Sequence, residues 1–404
     1  MSKEKKIYPD LSIIIMGHVD HGKTTLAKAL TGKWLSKHSE EIKRGYTLKL
    51  GYSDFSIYKC EKHGYMTEQI CPVCNKENEE VRKISLVDAP GHKSLIIVML
   101  SGASIVDAGI LVIAANEDVP QPQTLEHLVA FKYMGDKPLI IVQNKIDLVT
   151  KEQAMENYKK ILKLLDDVGI DKSKVRIIPM SAISGINLKY LLEALVELDV
   201  PKKEEKEDPI FLVTRSFDVN KPGTPIDELV GGVLGGSLIK GKLKLGDEIE
   251  IRPGLFINNK WVPLFTKIVS LKQGNHNVNE ILPRGTAGIG TLLDPFVTKD
   301  DTLSGQIVSL KNRSMPQYDK IVVEYEVIKE LYKGQVKISK GEEILVVCYN
   351  IVSKGIVKNV INNQLHIVLT KPVLANKGDR VILLREVRNN YEIFGVGKII
   401  DGEV

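Results

Sequence analysis

The sequence predicts an α/β domain built on a doubly wound, mostly parallel sheet, followed by two small β-barrel domains. Three observations carry this expectation. In the first half, short continuous apolar runs alternate with amphipathic stretches, the pattern of strands covered on both faces by helices. Beyond Val200 the segments become β-branched and glycine-punctuated, as in barrels and sandwiches. The chain has 404 residues, 43% hydrophobic and 26% charged. That is enough for roughly two or three cores and too apolar for general disorder. A net charge of +5 permits an acidic partner such as nucleic acid without requiring one.

Residues 11–16 (LSIIIM) read as a buried strand, followed by a glycine loop and a helix from Lys23. Further strands are expected at 84–87, 110–114, 139–142 and 175–178. Between the last two, Met155, Tyr158, Ile161, Leu162 and Leu165 recur at spacings of three and four, which predicts an amphipathic helix. This α/β domain is expected over 1–206, with a Cys-rich insertion at about 53–82. The run PKKEEKEDP (201–209) is charged and bounded by prolines, and it reads as a linker. The clearest strand-rich segment is GGVLGGSLIKGKLKLGDEIEIRPG (231–254); KIVVEYEVI, EEILVVCYNI, LHIVLTKPV and RVILLREV continue it. Barrels are expected at 207–318 and 319–404, divided near 316–319. No run approaches the roughly 18 uninterrupted apolar residues of a membrane span. The opening MSKEKKIYPD lacks an apolar signal core. A cytoplasmic protein with no membrane partner is expected.

Gly17-His18-Val19-Asp20-His21-Gly22-Lys23-Thr24 fits the phosphate-loop pattern G-x-x-x-x-G-K-[ST], between a predicted strand and a predicted helix. Gly17 and Gly22 let the backbone wrap an anion, and the loop amides and helix N-terminus face it. Lys23 would reach the β- and γ-phosphates, and the Thr24 hydroxyl would ligate Mg²⁺. Asp20, His21, Gly22 and Thr25 complete the candidate phosphate contacts; Asp20 could also touch a metal-bound water, and His18 and His21 are given no catalytic role. Asp88-Ala89-Pro90-Gly91 ends the strand at 84–87. Asp88 would hold the Mg²⁺, usually through water, and Gly91 would present its amide to a γ-phosphate.

Asn144-Lys145-Ile146-Asp147 follows the strand at 139–142. A carboxylate there accepts from both N1–H and the exocyclic amine of guanine, whereas adenine offers neither in that position. A buried carboxylate left unpaired discriminates by on the order of 10⁴-fold. Ser181 and Ala182, after the next strand, could supply an amide to guanine O6. The nucleotide is therefore GTP or GDP.

Cys60-x₂-His63 and Cys71-x₂-Cys74 form two close pairs. Three thiolates and an imidazole close a tetrahedral structural Zn²⁺ shell. Their grouping suits a metal site better than a disulfide framework. Cys348 sits in an apolar strand and reads as core.

GHVDHGKT, DAPGH, NKID and SAISG, in this order, resemble the translational GTPases, which implies a P-loop G domain with two following β-barrels. KRGYTLKLGY (43–52), the Cys-rich insertion, RSFDVNKPGT (215–224) and GGVLGGSLIKGKLKLGDEIEIRPG most resemble the gamma-subunit family of archaeal and eukaryotic initiation factor two. That resemblance runs nearly end to end. It implies the GTP-binding core of a heterotrimer with alpha and beta subunits, delivering methionylated initiator tRNA to the small ribosomal subunit. It implies a GTPase of the protein-synthesizing class. With no evident arginine finger, turnover should be slow without partners. Thr47 falls in the first switch, where its hydroxyl closes on Mg²⁺, and His92 matches the catalytic histidine that positions the attacking water. Val19 and Tyr46 fall at an apolar gate, where Tyr46 departs from the usual aliphatic residue. The family pattern at the metal candidate is four cysteines, and His63 replaces one. An elongation-type GTPase delivering aminoacyl-tRNA, and a GTP-binding regulatory scaffold that does not hydrolyse, stay open.

Overall fold

The computed structural model describes residues 8–34, 50–199, 203–274, 276–332 and 337–404. Thr47 and Tyr46 lie outside the described residues, as does most of the 43–52 segment. The chain divides into two compact units, 1–201 and 202–404.

In the first unit, seven strands form one sheet: β1 (Leu11–Gly17), β2 (Gly51–Cys60), β3 (Gly64–Met66), β4 (Glu79–Asp88), β5 (Ala108–Ala114), β6 (Leu139–Asn144) and β7 (Arg176–Pro179). Their order is β3-β2-β4-β1-β5-β6-β7. From β4 through β7 all pairings are parallel. β2 and β3 add an antiparallel edge. Every residue of β1, β5 and β6 is buried, which is why these strands read as unbroken apolar runs rather than alternating ones. Among the described residues this unit has five helices: α1 (Lys23–Thr31), α2 (Ile96–Ser104), α3 (Pro122–Tyr133), α4 (Lys151–Val168) and α5 (Leu188–Glu197). β1 is flanked by β4 on one side and β5 on the other. Chain order reverses there, so a crevice opens at the carboxyl ends of these strands.

The Cys-rich segment is not a separate insertion. It is the far end of a long hairpin in which β2 pairs with β4 from Gly51↔Asp88 to Lys59↔Glu79. β4 therefore extends well before the expected strand at 84–87. The polar outer half of β4 hides it from an apolar-run reading.

α4 forms where its spacing predicts, with a Thr150–Gln153 capping box at its start and left-handed Gly169 at its end. Its buried face is turned from the expected one. Asn157, Ile161, Leu164, Leu165 and Val168 are buried, whereas Met155 is 50% exposed. Asn157 explains the turn. Its amide donates to Ala114 O at 3.3 Å and Glu117 O at 3.0 Å, and its Oδ1 accepts from Gln143 Nε2 at 2.9 Å.

The second unit holds two closed six-stranded barrels. Its first strands are β8 (Ile210–Phe217), β9 (Val233–Lys240), β10 (Leu243–Lys244), β11 (Glu248–Ile257), β12 (Lys260–Gln273), β13 (His276–Asn277), β14 (Glu280–Ile281), β15 (Ala287–Thr291) and β16 (Gln306–Leu310). Six of them run β11-β16-β8-β9-β15-β12, and the β11–β12 pairing closes the ring. The second ring is β17 (Gln317–Val327), β20 (Gln364–Leu374), β19 (Ile351–Ile361), β18 (Glu343–Cys348), β21 (Arg380–Val387) and β22 (Asn390–Glu403). Phe211, Leu234, Ile249 and Ile289 fill the first barrel. Cys348 is fully buried, and burial pushes its thiol pKa up, away from reactivity.

Candidate functional site

The phosphate-loop motif occupies the bend between β1 and α1, at the mouth of the crevice. Gly17, Asp20 and Gly22 all take positive φ, at 138°, 61° and 94°. A Cβ on Gly17 would collide with the Val112 carbonyl, and one on Gly22 with the Asn144 side-chain amide. Glycine is thus required by both backbone shape and space. Lys23 Nζ donates to His18 O at 2.5 Å across the loop. The ammonium is almost wholly buried, and burial pushes its pKa down to about 8 against the opposing pull of Asp88 and Asp20. A buried ammonium beside a loop of backbone amides is arranged to meet an anion.

Thr24 Oγ1 donates to Asp88 Oδ2 at 3.0 Å, bringing a hydroxyl and a carboxylate from separate elements together beside Lys23. Hard oxygen donors of this kind fit Mg²⁺. Gly91 lies against the loop, where a Cβ would press within 2.9 Å of Gly17 O and collide with Lys23 Nζ. His92 is exposed and caps the short helical turn Lys93–Leu95. Its Nδ1 lies 2.8 Å from Ser94 Oγ and accepts from Ser94 N–H at 3.4 Å. Val19 is half-buried.

Asn144 sits at the end of β6 and ties two loops together. Its Nδ2 donates to His21 O at 2.9 Å, and its Oδ1 accepts from Ala182 N–H at 2.9 Å. Both amide atoms are engaged within the protein, so Asn144 holds the two loops in register. Ser181 N–H donates to Ile186 O at 3.2 Å and Ala182 N–H to Asn144 Oδ1, which ties the Ser181–Ala182 turn to the base-reading motif. Asp147 lies exposed on a helical turn after Lys145, whose φ of 62° re-aims the chain. The His21 ring is buried, with Nδ1 3.1 Å from Val112 O and Nε2 3.3 Å from Glu117 Oε2.

Two contributors carry no motif signal. His127, fully buried on α3, accepts the Gly17 N–H on Nδ1 at 3.2 Å. Burial pushes its pKa down to about 3, which keeps the ring neutral and able to accept. Glu117, after β5, reaches both His21 and Lys145. The ANED segment after an apolar strand was the available hint.

At the hairpin tip, Cys60, His63, Cys71 and Cys74 place their ligand atoms within 4.8 Å of one another. Tetrahedral zinc, with sulfur at about 2.3 Å and nitrogen at about 2.0 Å, sets ligand-to-ligand edges of about 3.5 to 3.8 Å. The observed edges are 3.7 Å for Cys60–Cys74, 3.4 Å for Cys60–His63 and 3.3 Å for Cys71–His63. The Lys62 amide aims at the Cys60 sulfur and holds its thiol below the ordinary range. At Cys71 burial opposes ionisation, and the Cys74 and Val73 amides outweigh it. The donor set and its spacing fit a closed zinc shell.

The family profile "Elongation factor Tu GTP binding domain" matches residues 9–200, and "Initiation factor eIF2 gamma, C terminal" matches 319–399. The chain is 44% identical to translation initiation factor 2 subunit gamma of Pyrococcus abyssi, over 98% of this chain and 99% of that one. It is 45% identical to the protein of the same name from Methanococcus vannielii, over 97% and 98%. Among solved structures it resembles a bacterial selenocysteine-specific elongation factor EF-Sec, with TM-score 0.74 and 23% identity over 99% of this chain and 59% of that longer one. It also resembles translation elongation factor SelB of Methanococcus maripaludis in complex with the GTP analogue GPPNHP, with TM-score 0.73 and 24% identity over 99% and 80%. These two share the fold.

Proposed function

Because the chain belongs to the translation initiation factor 2 gamma family, we propose that it is the core of a heterotrimeric initiation factor that carries methionylated initiator tRNA to the small ribosomal subunit. Its alpha and beta subunits would complete the assembly in the cytoplasm, and tRNA would be released after GTP hydrolysis. At the coarser level the chain is a GTP-binding translation-initiation GTPase. The observation that carries the reading is the Asn144 bridge, which joins a phosphate loop to a guanine-type base motif in one rigid unit. The proposed domains are a G domain over 1–206 and barrels over 207–318 and 319–404.

In this mechanism Lys23, Thr25 and the amides of Asp20 to Thr24 bind the phosphates, and Gly91 presents its amide to the γ-phosphate. Asp147 reads the guanine edge, with Lys145 beside it and the Ser181–Ala182 turn shaping the pocket. Thr24 and Asp88 would hold Mg²⁺, joined by Thr47. An Mg²⁺ held there would supply neutralisation of the charge that develops on the β- and γ-phosphates. His92 would orient the attacking water: Ser94 at Nδ1 leaves the ring proton on Nε2, the atom able to donate to developing charge. Without an arginine finger, turnover should be slow until a partner acts. Zinc at Cys60, His63, Cys71 and Cys74 would be structural, since four ligands leave no open position.

The test is competition for the purified chain, alone and with partner subunits, loaded with a GTP analogue or GDP. Initiator Met-tRNA should be preferred over elongator aminoacyl-tRNAs, and only in the GTP state. Equal binding of all aminoacyl-tRNAs would instead place the chain with elongation-type carriers.

A further inference from the structure

We propose that Glu117 is a positioning residue for guanine-nucleotide recognition, holding Lys145 of the base-reading motif against the phosphate loop. This rests on the nucleotide reading above and adds a component to it.

Glu117 lies in the turn between β5 and α3, with its carboxylate 30% exposed. One oxygen, Oε2, is 3.3 Å from His21 Nε2; the other, Oε1, is 3.8 Å from Lys145 Nζ. A single carboxylate thus spans the loop that meets the phosphates and the motif that meets the base. Both of its anchors are fixed. The His21 ring is 1% exposed, with Nδ1 3.1 Å from the Val112 carbonyl and Nε2 facing Glu117, while the His21 carbonyl accepts from Asn144. The Glu117 carbonyl accepts from Asn157, whose side chain is in turn held by Gln143, the residue before Asn144 in β6. Strand β6 therefore fixes the phosphate loop through Asn144 and fixes Glu117 through α4.

Lys145 gains most from this arrangement. Its four-carbon stem is flexible, and a free lysine would have to be ordered when nucleotide binds. Tethering Nζ at Glu117 draws the stem from the end of β6 toward the phosphate loop before binding. The stem then presents apolar surface between the base-reading and phosphate-binding groups. A half-exposed ion pair of this kind contributes little to folding, so its consequence should appear in binding.

The experiment titrates the full chain with GDP, in the parent, Glu117→Gln, Glu117→Ala, Lys145→Met and the Glu117→Ala/Lys145→Met double variant. Each Glu117 variant should weaken GDP binding about tenfold, with the melting temperature unchanged, and the loss should vanish in the Lys145→Met background. Parent-like GDP binding by Glu117→Ala, or an equal loss in both backgrounds, overturns the proposal. If the alanine variant melts early, the near-isosteric Glu117→Gln decides alone. Binding of ADP as tightly as GDP by the parent would defeat the nucleotide reading itself, and this proposal with it.

Discussion

Lys23 is the residue whose chemistry depends most on what binds beside it. In the unfolded chain it titrates at its ordinary 10.5, and in the folded protein burial brings it to about 8. A polyphosphate adds negative charge to that of Asp88 and Asp20 and raises the value again. Above pH 8 the free protein has lost the proton, so nucleotide binding must recapture it. GDP affinity should therefore fall by up to about tenfold per pH unit above 8. Titration calorimetry in buffers of different ionisation enthalpy would register the proton uptake, and a flat affinity from pH 7.5 to 9.5 would refute it. Asp147→Asn bears on the base in the same way. Replacing the acceptor-only carboxylate should reduce the preference for GDP over ADP by on the order of 10²-fold or more, as read by competition. Unchanged preference would remove Asp147 from the base site. At this scale legibility follows sequence locality. The phosphate loop was readable because its chemistry lies in eight consecutive residues. His127 and Glu117 join it from other segments, and no motif names them.

Among the elements, the β2–β4 hairpin shows where apolar pattern stops being informative. β1, β5 and β6 were legible because both faces are covered; the outer reach of β4 has polar residues and only backbone pairing to betray it. α4 shows a subtler loss. Its period was readable but its facing was not, because a buried asparagine with three partners outweighs an exposed methionine. The hairpin is also tied to the rest of its unit. Arg82 on β4 donates to the carbonyls of Leu195, Val196 and Leu198 at the end of α5, satisfying groups a helix end leaves open. The hairpin tip, by contrast, exposes Ile70 and Val73, and its four-residue cluster is the group a bound zinc would hold together. The purified chain should carry about one zinc per molecule by elemental analysis. Removing it with a chelator, or by Cys71→Ser, should speed amide exchange over 60–78 while β1 and α1 stay protected. Undiminished protection of the tip in zinc-free protein would show that the hairpin needs no metal.

At the scale of the whole molecule, the two barrels of the second unit meet through a polar seam. Asn350, 2% exposed, donates to Val213 O at 2.7 Å, Trp261 Nε1 donates to Thr370 O at 3.3 Å, and Lys371 Nζ donates to Gly305 O at 3.3 Å. The Lys371 ammonium also lies 5.6 Å from the centre of the Trp261 ring. No sequence pattern announces such a seam, since its members come from several separate strands and turns. Lys371 is its costly member: burial pushes its pKa from 10.5 down to about 8. The sign follows from proton counting. Between those values the unfolded chain holds the proton and the folded one does not, so stability rises with pH across that window. Below pH 8 the cost is complete, about 3 kcal/mol. Lys371→Met keeps the stem and removes the charge. It should raise stability by up to about 3 kcal/mol at pH 7, offset by the lost Gly305 bond, which is worth roughly 1 kcal/mol or more. The advantage should shrink toward zero as pH approaches 10.5. Urea unfolding of the full chain at pH 7 and pH 10 measures both terms. A variant less stable than the parent at pH 7 would mean that the carbonyl and the indole face together repay the buried charge, and that the seam is held by Lys371 rather than burdened by it.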